Sequence, residues 1–448
     1  MLVQGGQVLT MDPAAGDLDR GDVLIEDGRI VAVAPHLDAE AEVVDATGFI
    51  VMPGFVDSHR HTWEASIRGC APDATLDDYF VDVLDSFAPV YTAEDVYAGN
   101  LAGALECLDA GITTLVDWSH INNTPDHPDA AVGALRETGI RAQYAYGSAN
   151  TSLADYWNDS KIAIPGDDVR RIRDNHFASD GGLLTMALAT RGPGFCTDEV
   201  VRAEWELARE LGLPITVHVA MGRLAGRFAM VEHLDRLGLL REHTTYVHCC
   251  HLSDTEWRMV ADSGGHVSIA PQVELQMGHG WPPVDRAVQL GLRPSLSIDV
   301  VTTVPGDMFT QLRSAFAVAR AHVNAACFEA DTPVPETMLT ARQVLELATV
   351  NGAYTAGLAD RTGALVPGRR ADLILLDAGA LKLAPVRDPA AAVVLSADVS
   401  NVDTVLVDGV VRKRHGRLLA DTGRGRRLVE ESRDRLDAAV ADRKRAAG

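Results

Sequence analysis

The chain has 448 residues, 47 % apolar and 23 % charged, so it is long enough to bury a large core and too apolar to be disordered. Its formal net charge of −23 argues against the basic faces that nucleic-acid binding needs. No apolar run is long enough to span a membrane, and six scattered cysteines without a C-x-x-C pair suit a reducing compartment.

The amino terminus, "MLVQGGQVLTMD", has no basic stretch leading into a long apolar one, so a cytoplasmic protein is expected. Residues 1–53 read as short strands, with two apolar runs flanking Asp27-Gly28 as in a hairpin. Over 54–355 apolar, β-branched runs alternate with amphipathic stretches. The runs are "GFVDSHRH", "TTLVDWSH", "RAQYAYG", "LLTMALAT", "PITVHVAM", "TTYVHCC", "GHVSIAP" and "PSLSID". Between them lie segments such as "DAAVGALRETG", "DEVVRAEWELARELG" and "DTEWRMVADSG", each with an acidic start, an apolar stripe and a closing glycine. Strands buried on both faces read as continuous apolar runs. Eight such units in series predict a (β/α)8 TIM-like barrel rather than an open doubly wound sheet. Residues 356–423 return to short strands and are expected to join 1–53 in a small β-sandwich domain. The charged, amphipathic segment 424–448 is expected to be a docking helix.

The chemistry gathers at the ends of the predicted strands. In a strand, residues i and i+2 share a face, so His59 and His61 aim two imidazoles at one point, with Asp57 one step earlier. An H-x-H pair alone is weak evidence, since core histidines are common. His218 closes the fifth run, His248 the sixth and Asp299 the eighth. Sites in such barrels lie at the carboxyl ends of the strands. Imidazoles plus a carboxylate suit Zn²⁺ or Fe²⁺, and a metal at such a site lowers the pKa of a bound water.

These residues resemble the amidohydrolase superfamily, in its cytosine deaminase, chlorohydrolase and guanine deaminase branch. "VMPGFVDSHRH", "HCCHLSD" and "NGAYTAGLADRTGALVPGRRADLILLD" carry the likeness, which covers nearly the whole chain. The resemblance implies that His59, His61, His218 and Asp299 hold one divalent ion per chain, zinc ahead of iron. It implies that Asp299 takes a proton from the metal-bound water and that His248 orients that water or polarises the substrate. The bridging lysine of dinuclear branches has no counterpart in "LLTMALAT", which implies a mononuclear site. One departure stands out: deaminases of this branch carry His-x-x-Glu after the fifth strand, and here that spacing from His218 reaches Met221. A thioether cannot shuttle a proton. Glu64 and Glu274 are the candidate replacement acids, each weighed against a solvated loop carboxylate. Trp63, His120, His279 and Trp281 are candidate substrate contacts, and His251 is expected to point elsewhere.

The expected function is hydrolysis in which metal-bound hydroxide attacks an sp² carbon of a small nitrogen-containing, heterocyclic substrate, by deamination or dechlorination. A lyase, decarboxylase or isomerase using the same metal is the alternative, and a catalytically silent scaffold a third. The expected partner is a small molecule, with neither nucleic acid nor membrane, and relatives imply a homodimer or larger homo-oligomer.

Overall fold

Five short strands open the chain: β1 (Leu2–Val8), β2 (Leu18–Glu26), β3 (Arg29–Ala34), β4 (Val43–Asp45) and β5 (Phe49–Pro53). Glu26 pairs with Arg29, and Asp27 and Gly28 turn between them at φ 47° and 74°. Two consecutive positive φ values make the primed turn whose twist matches its strands. The computed structural model describes residues 1–448 except 154, 156–158, 180, 225–227, 336–337 and 448.

All eight predicted runs are parallel strands. They are β6 (Phe55–Arg60), β7 (Ile112–Ser119), β8 (Arg141–Tyr146), β9 (Leu184–Thr190), β10 (Ile215–Val219), β11 (Thr244–His248), β12 (His266–Ile269) and β13 (Ser295–Leu296). They pair in sequence order from β6 to β13. Among the described residues, the segment after β13 meets β6 through one backbone bridge, Arg60 to Asp299. There the His61 N–H donates to the Asp299 carbonyl at 2.8 Å, and the Asp299 N–H to that of His59 at 3.0 Å. The backbone that closes the barrel therefore also places three site residues. Every residue of β6 through β13 is buried, as strands covered on both faces must be. The helices Asp126–Thr138 and Asp198–Leu211 end on Gly139 and Gly212 in the left-handed conformation, where the sequence places their stops.

Strands β14 (Leu373–Asp377), β15 (Val402–Val407), β16 (Val410–Arg414) and β17 (Arg417–Leu418) return to the first five. Their ladder runs β17-β16-β15-β14-β5-β1-β2-β3, with β4 beside β1. Val23, Ile25, Ile30 and Val51 from the first five strands share a core with Leu373 and Leu406 from the returning ones. The helix Thr422–Ala447 packs along the helix Ala93–Asp109, where Ser432 donates to Asp95 Oδ1 at 2.6 Å.

A roof covers the carboxyl end of the barrel. It comprises the 3₁₀ helix Thr62–Ile67, a helical turn Leu76–Tyr79 and a π-helical turn Phe80–Asp85.

Candidate active site

His59 and His61 leave β6 on one face, their ring centroids 4.9 Å apart. His59 Nε2 lies 3.1 Å and His61 Nε2 3.3 Å from the same oxygen, Asp299 Oδ1. His218 brings its Nε2 to 3.1 Å from that of His59. One ligand atom from each of the four falls within 4.8 Å of the others, and all four side chains are buried. The Trp118 carbonyl lies 2.9 Å from His61 Nδ1. A carbonyl only accepts, so Nδ1 carries the proton and Nε2 keeps its lone pair toward the cluster. Burial alone would raise the Asp299 carboxyl, but the His59 and His61 rings set against it hold it well below the usual range. An ionised carboxylate among imidazole nitrogens is the donor set of a divalent metal, and the cluster fits one.

His248, at the end of β11, approaches from the other side. Its Nδ1 lies 3.1 Å from Glu274 Oε1, which also accepts the Ala270 N–H at 2.8 Å. Its Nε2 stands 3.7 Å from Asp299 Oδ2. His248 and Asp299 adopt φ of 74° and 70°, which is costly for residues other than glycine and concentrates at functional sites. The His279 ring lies 4.6 Å from that of His248, and burial lowers its pKa to about 3. Among the described residues neither His279 nitrogen has a hydrogen-bond partner.

Glu64 and Glu274, weighed against solvated loop carboxylates, are both fully buried. Tyr79 Oη donates to Glu64 Oε1 at 2.5 Å, and Thr302 Oγ1 to Oε2 at 3.4 Å. Burial pushes the Glu64 carboxyl up to about 7, against the pull of the His61 charge and the Tyr79 hydroxyl. Burial likewise raises Glu274 against its bond to His248.

His120 lines the cleft, its ring 4.2 Å from His61, and its Nδ1 accepts the Trp63 Nε1–H at 3.3 Å. Trp63 itself is fully buried beneath it, edge-on to Tyr91, and does not line the cleft. Trp281 is 61 % exposed and packs on His322, away from the cleft. It follows the site loop in sequence, but the chain turns it to solvent. His251 is exposed, and Asp117 accepts from Asn100 and the Thr62 N–H rather than facing the cleft. Met221 lines the cleft, close to His218 and His279. The sequence reading missed the roof contributors Leu76, Tyr79, Phe80 and Leu84, and also Met277. Their one local signal is the Thr75–Asp78 capping box, which marks a helix start and nothing of its position.

Imidazoles and a carboxylate converging at the carboxyl end of a parallel barrel define a metal-dependent hydrolase. Residues 50–412 match the amidohydrolase family, and the chain belongs to it. A 5′-deoxyadenosine deaminase of Methanosarcina mazei is 31 % identical over 452 residues, 98 % of each chain. A 5-methylthioadenosine/S-adenosylhomocysteine deaminase of Symbiobacterium thermophilum is 31 % identical over 91 % of this chain and 92 % of its own. In fold, a zinc-bound adenosine deaminase of Xanthomonas campestris superposes with TM-score 0.85 at 24 % identity, covering 98 % of each chain. A zinc complex of an atrazine chlorohydrolase from Arthrobacter aurescens gives 0.83 at 25 %, over 97 % of this chain and 99 % of that one. The chain is therefore a hydrolase of the amidohydrolase family.

Proposed function

We propose that His59, His61, His218 and Asp299 hold one zinc ion per chain, and that Asp299, His248 and Glu274 move the proton of the hydrolysis. The convergence of three ring nitrogens and one carboxylate oxygen within 4.8 Å carries this reading. The zinc reported with the deaminase and chlorohydrolase structures supports that metal over iron. A bound zinc ion supplies Lewis acidity and brings the pKa of a water toward neutrality.

Asp299 Oδ2 points away from the cluster toward His248 and is the proton acceptor. Glu274 fixes the His248 tautomer with the proton on Nδ1 and stabilises the imidazolium once Nε2 takes up a second. His248 can then deliver that proton to a departing amine, a task Met221 cannot perform. Chloride needs no such proton, so the pair serves either leaving group. The names of the curated relatives favour ammonia. Glu64 acts through His61, and His120 and His279 contact the substrate.

Chelation is expected to abolish turnover of aminated or chlorinated heterocycles, read as ammonia or chloride release, and zinc to restore it. Glu274→Gln is expected to cut kcat by roughly 10- to 100-fold, the range for a partner that orients a metal-site group, with zinc retained. His251→Ala should leave kcat near wild type. The reverse order of these two variants would remove Glu274 and His248 from the proton path.

A further inference from the structure

The two oxygens of Asp299 face different partners. Oδ1 lies 3.1 Å from His59 Nε2, within the four-residue cluster. Oδ2 stands 3.7 Å from His248 Nε2. His279 completes this second group: one ligand atom from each of His248, His279 and Asp299 falls within 4.8 Å of the others. All three side chains are buried.

Two further observations point to an ion there. His279 is 2 % exposed, its ring lies 4.6 Å from that of His248, and among the described residues neither of its nitrogens has a hydrogen-bond partner. Buried polar groups are paired in native proteins, so a buried imidazole lone pair with no donor against it calls for a partner of another kind. His248, for its part, is already set as a ligand. Its Nδ1–H meets Glu274 Oε1 at 3.1 Å, which leaves the Nε2 lone pair free. A carboxylate behind a histidine is the usual support of a metal-binding imidazole, and it raises the basicity of the free nitrogen. Nitrogen and oxygen ligands stand ~2 Å from a zinc ion, hence up to ~4 Å from each other. The 3.7 Å between His248 Nε2 and Asp299 Oδ2 is within that reach.

We infer that His248, His279 and Asp299 Oδ2 form a second zinc site, weaker than the first, and that zinc bound there inhibits. It is weaker because Asp299 is shared and two dications repel each other across it. It inhibits because Asp299 Oδ2 and His248 Nε2 carry the proton of the hydrolysis, and an ion coordinated to both occupies the lone pairs that the proton needs. The inhibition rests on the hydrolytic reading of the site, and the binding rests on the geometry alone.

Zinc is titrated into the chelated full chain by calorimetry. Bound metal is counted by mass spectrometry, and ammonia or chloride release is followed on aminated and chlorinated heterocycles. Two equivalents are expected to bind, the first restoring turnover and the second suppressing it. His279→Ala is expected to bind one equivalent, and its rate, whatever its level, to be the same with one equivalent of zinc as with two. Glu274→Gln is expected to bind the second equivalent ~10- to 100-fold more weakly, the range for loss of such a support, and to hold the first. A wild-type chain that stops at one equivalent overturns the inference, as does a second equivalent that persists in His279→Ala or that raises the rate. One equivalent with active hydrolysis leaves the hydrolytic reading standing. Two equivalents that fall to one in His279→Ala, with no heterocycle hydrolysed, support the second site and defeat the hydrolytic reading instead.

Discussion

Asp299 divides its two oxygens between two tasks. Oδ1 faces His59 and His61, and Oδ2 faces His248. Asn in its place keeps the shape and loses both the charge and the base. Asp299→Asn is therefore expected to lower kcat by at least about 100-fold, the upper end for mere orienting partners, with an unchanged circular dichroism spectrum. Wild-type turnover in this variant would remove Asp299 from the chemistry. Glu64 makes a different prediction, about stability. Burial raises its carboxyl from 4.5 to about 7, so the folded chain binds this proton more tightly than the unfolded one. The stabilisation is full below pH 4.5 and is lost as pH rises through about 7. Glu64→Gln carries a permanent neutral amide and should flatten this dependence, by on the order of 3 kcal/mol between pH 4 and 8. Urea denaturation of the chelated protein at both pH values reads it, and parallel curves for the two proteins would contradict a dry, protonated Glu64.

At the scale of elements, the proposed ligands His59 and His61 depend on how closely one helix approaches the roof. The helix Ala93–Asp109 starts at a Thr92–Asp95 capping box, which local sequence specifies. Its packing on the 3₁₀ helix Thr62–Ile67 is set by two glycines one turn apart. A Cβ on Gly99 would sit 2.2 Å from the Trp63 carbonyl oxygen, and one on Gly103 2.7 Å from Thr62 Cγ2. Alanine favours a helix over glycine by up to ~1 kcal/mol, but overpacking costs ~1–3 kcal/mol. Gly99→Ala should thus destabilise, and it should loosen zinc retention because Trp63 follows His61 by two residues. Thermal melts with zinc content by mass spectrometry decide it, and a stabilised variant with full zinc would refute the close-packing account. The barrel strands were legible because buried parallel strands write their pattern locally. The roof was not, since its pieces are helical turns of four to six residues with no period of their own.

For the whole molecule, the two layers are tied at the end of the barrel opposite the site. Arg141, the first residue of β8, donates its Nε–H to Asp372 Oδ2 at 2.5 Å, and Asp372 Oδ1 accepts the Asp408 N–H at 2.7 Å. Both side chains are buried. Arg141→Leu would leave Asp372 as an uncompensated buried charge, at a cost of ~3–5 kcal/mol. Its kcat at moderate temperature should stay near wild type because the cleft is untouched. Stability equal to wild type would mean the pair does not couple the layers. The sequence alone determined the alternation of strands and helices, the Asp27-Gly28 turn, and the positions of His59, His61, His218, His248 and Asp299 at strand ends. These follow from short-range periodicity, because a barrel gathers the carboxyl ends of its strands wherever they lie in the chain. Only the tertiary structure decided that Glu64 and Glu274 are dry, that Glu274 pairs with His248, and that Trp281 faces solvent. Thr302 reaches Glu64 across 238 residues and Asp299 reaches His59 across 240. Burial and pairing at such separations arise from the close packing of remote segments, which no local pattern of residues encodes.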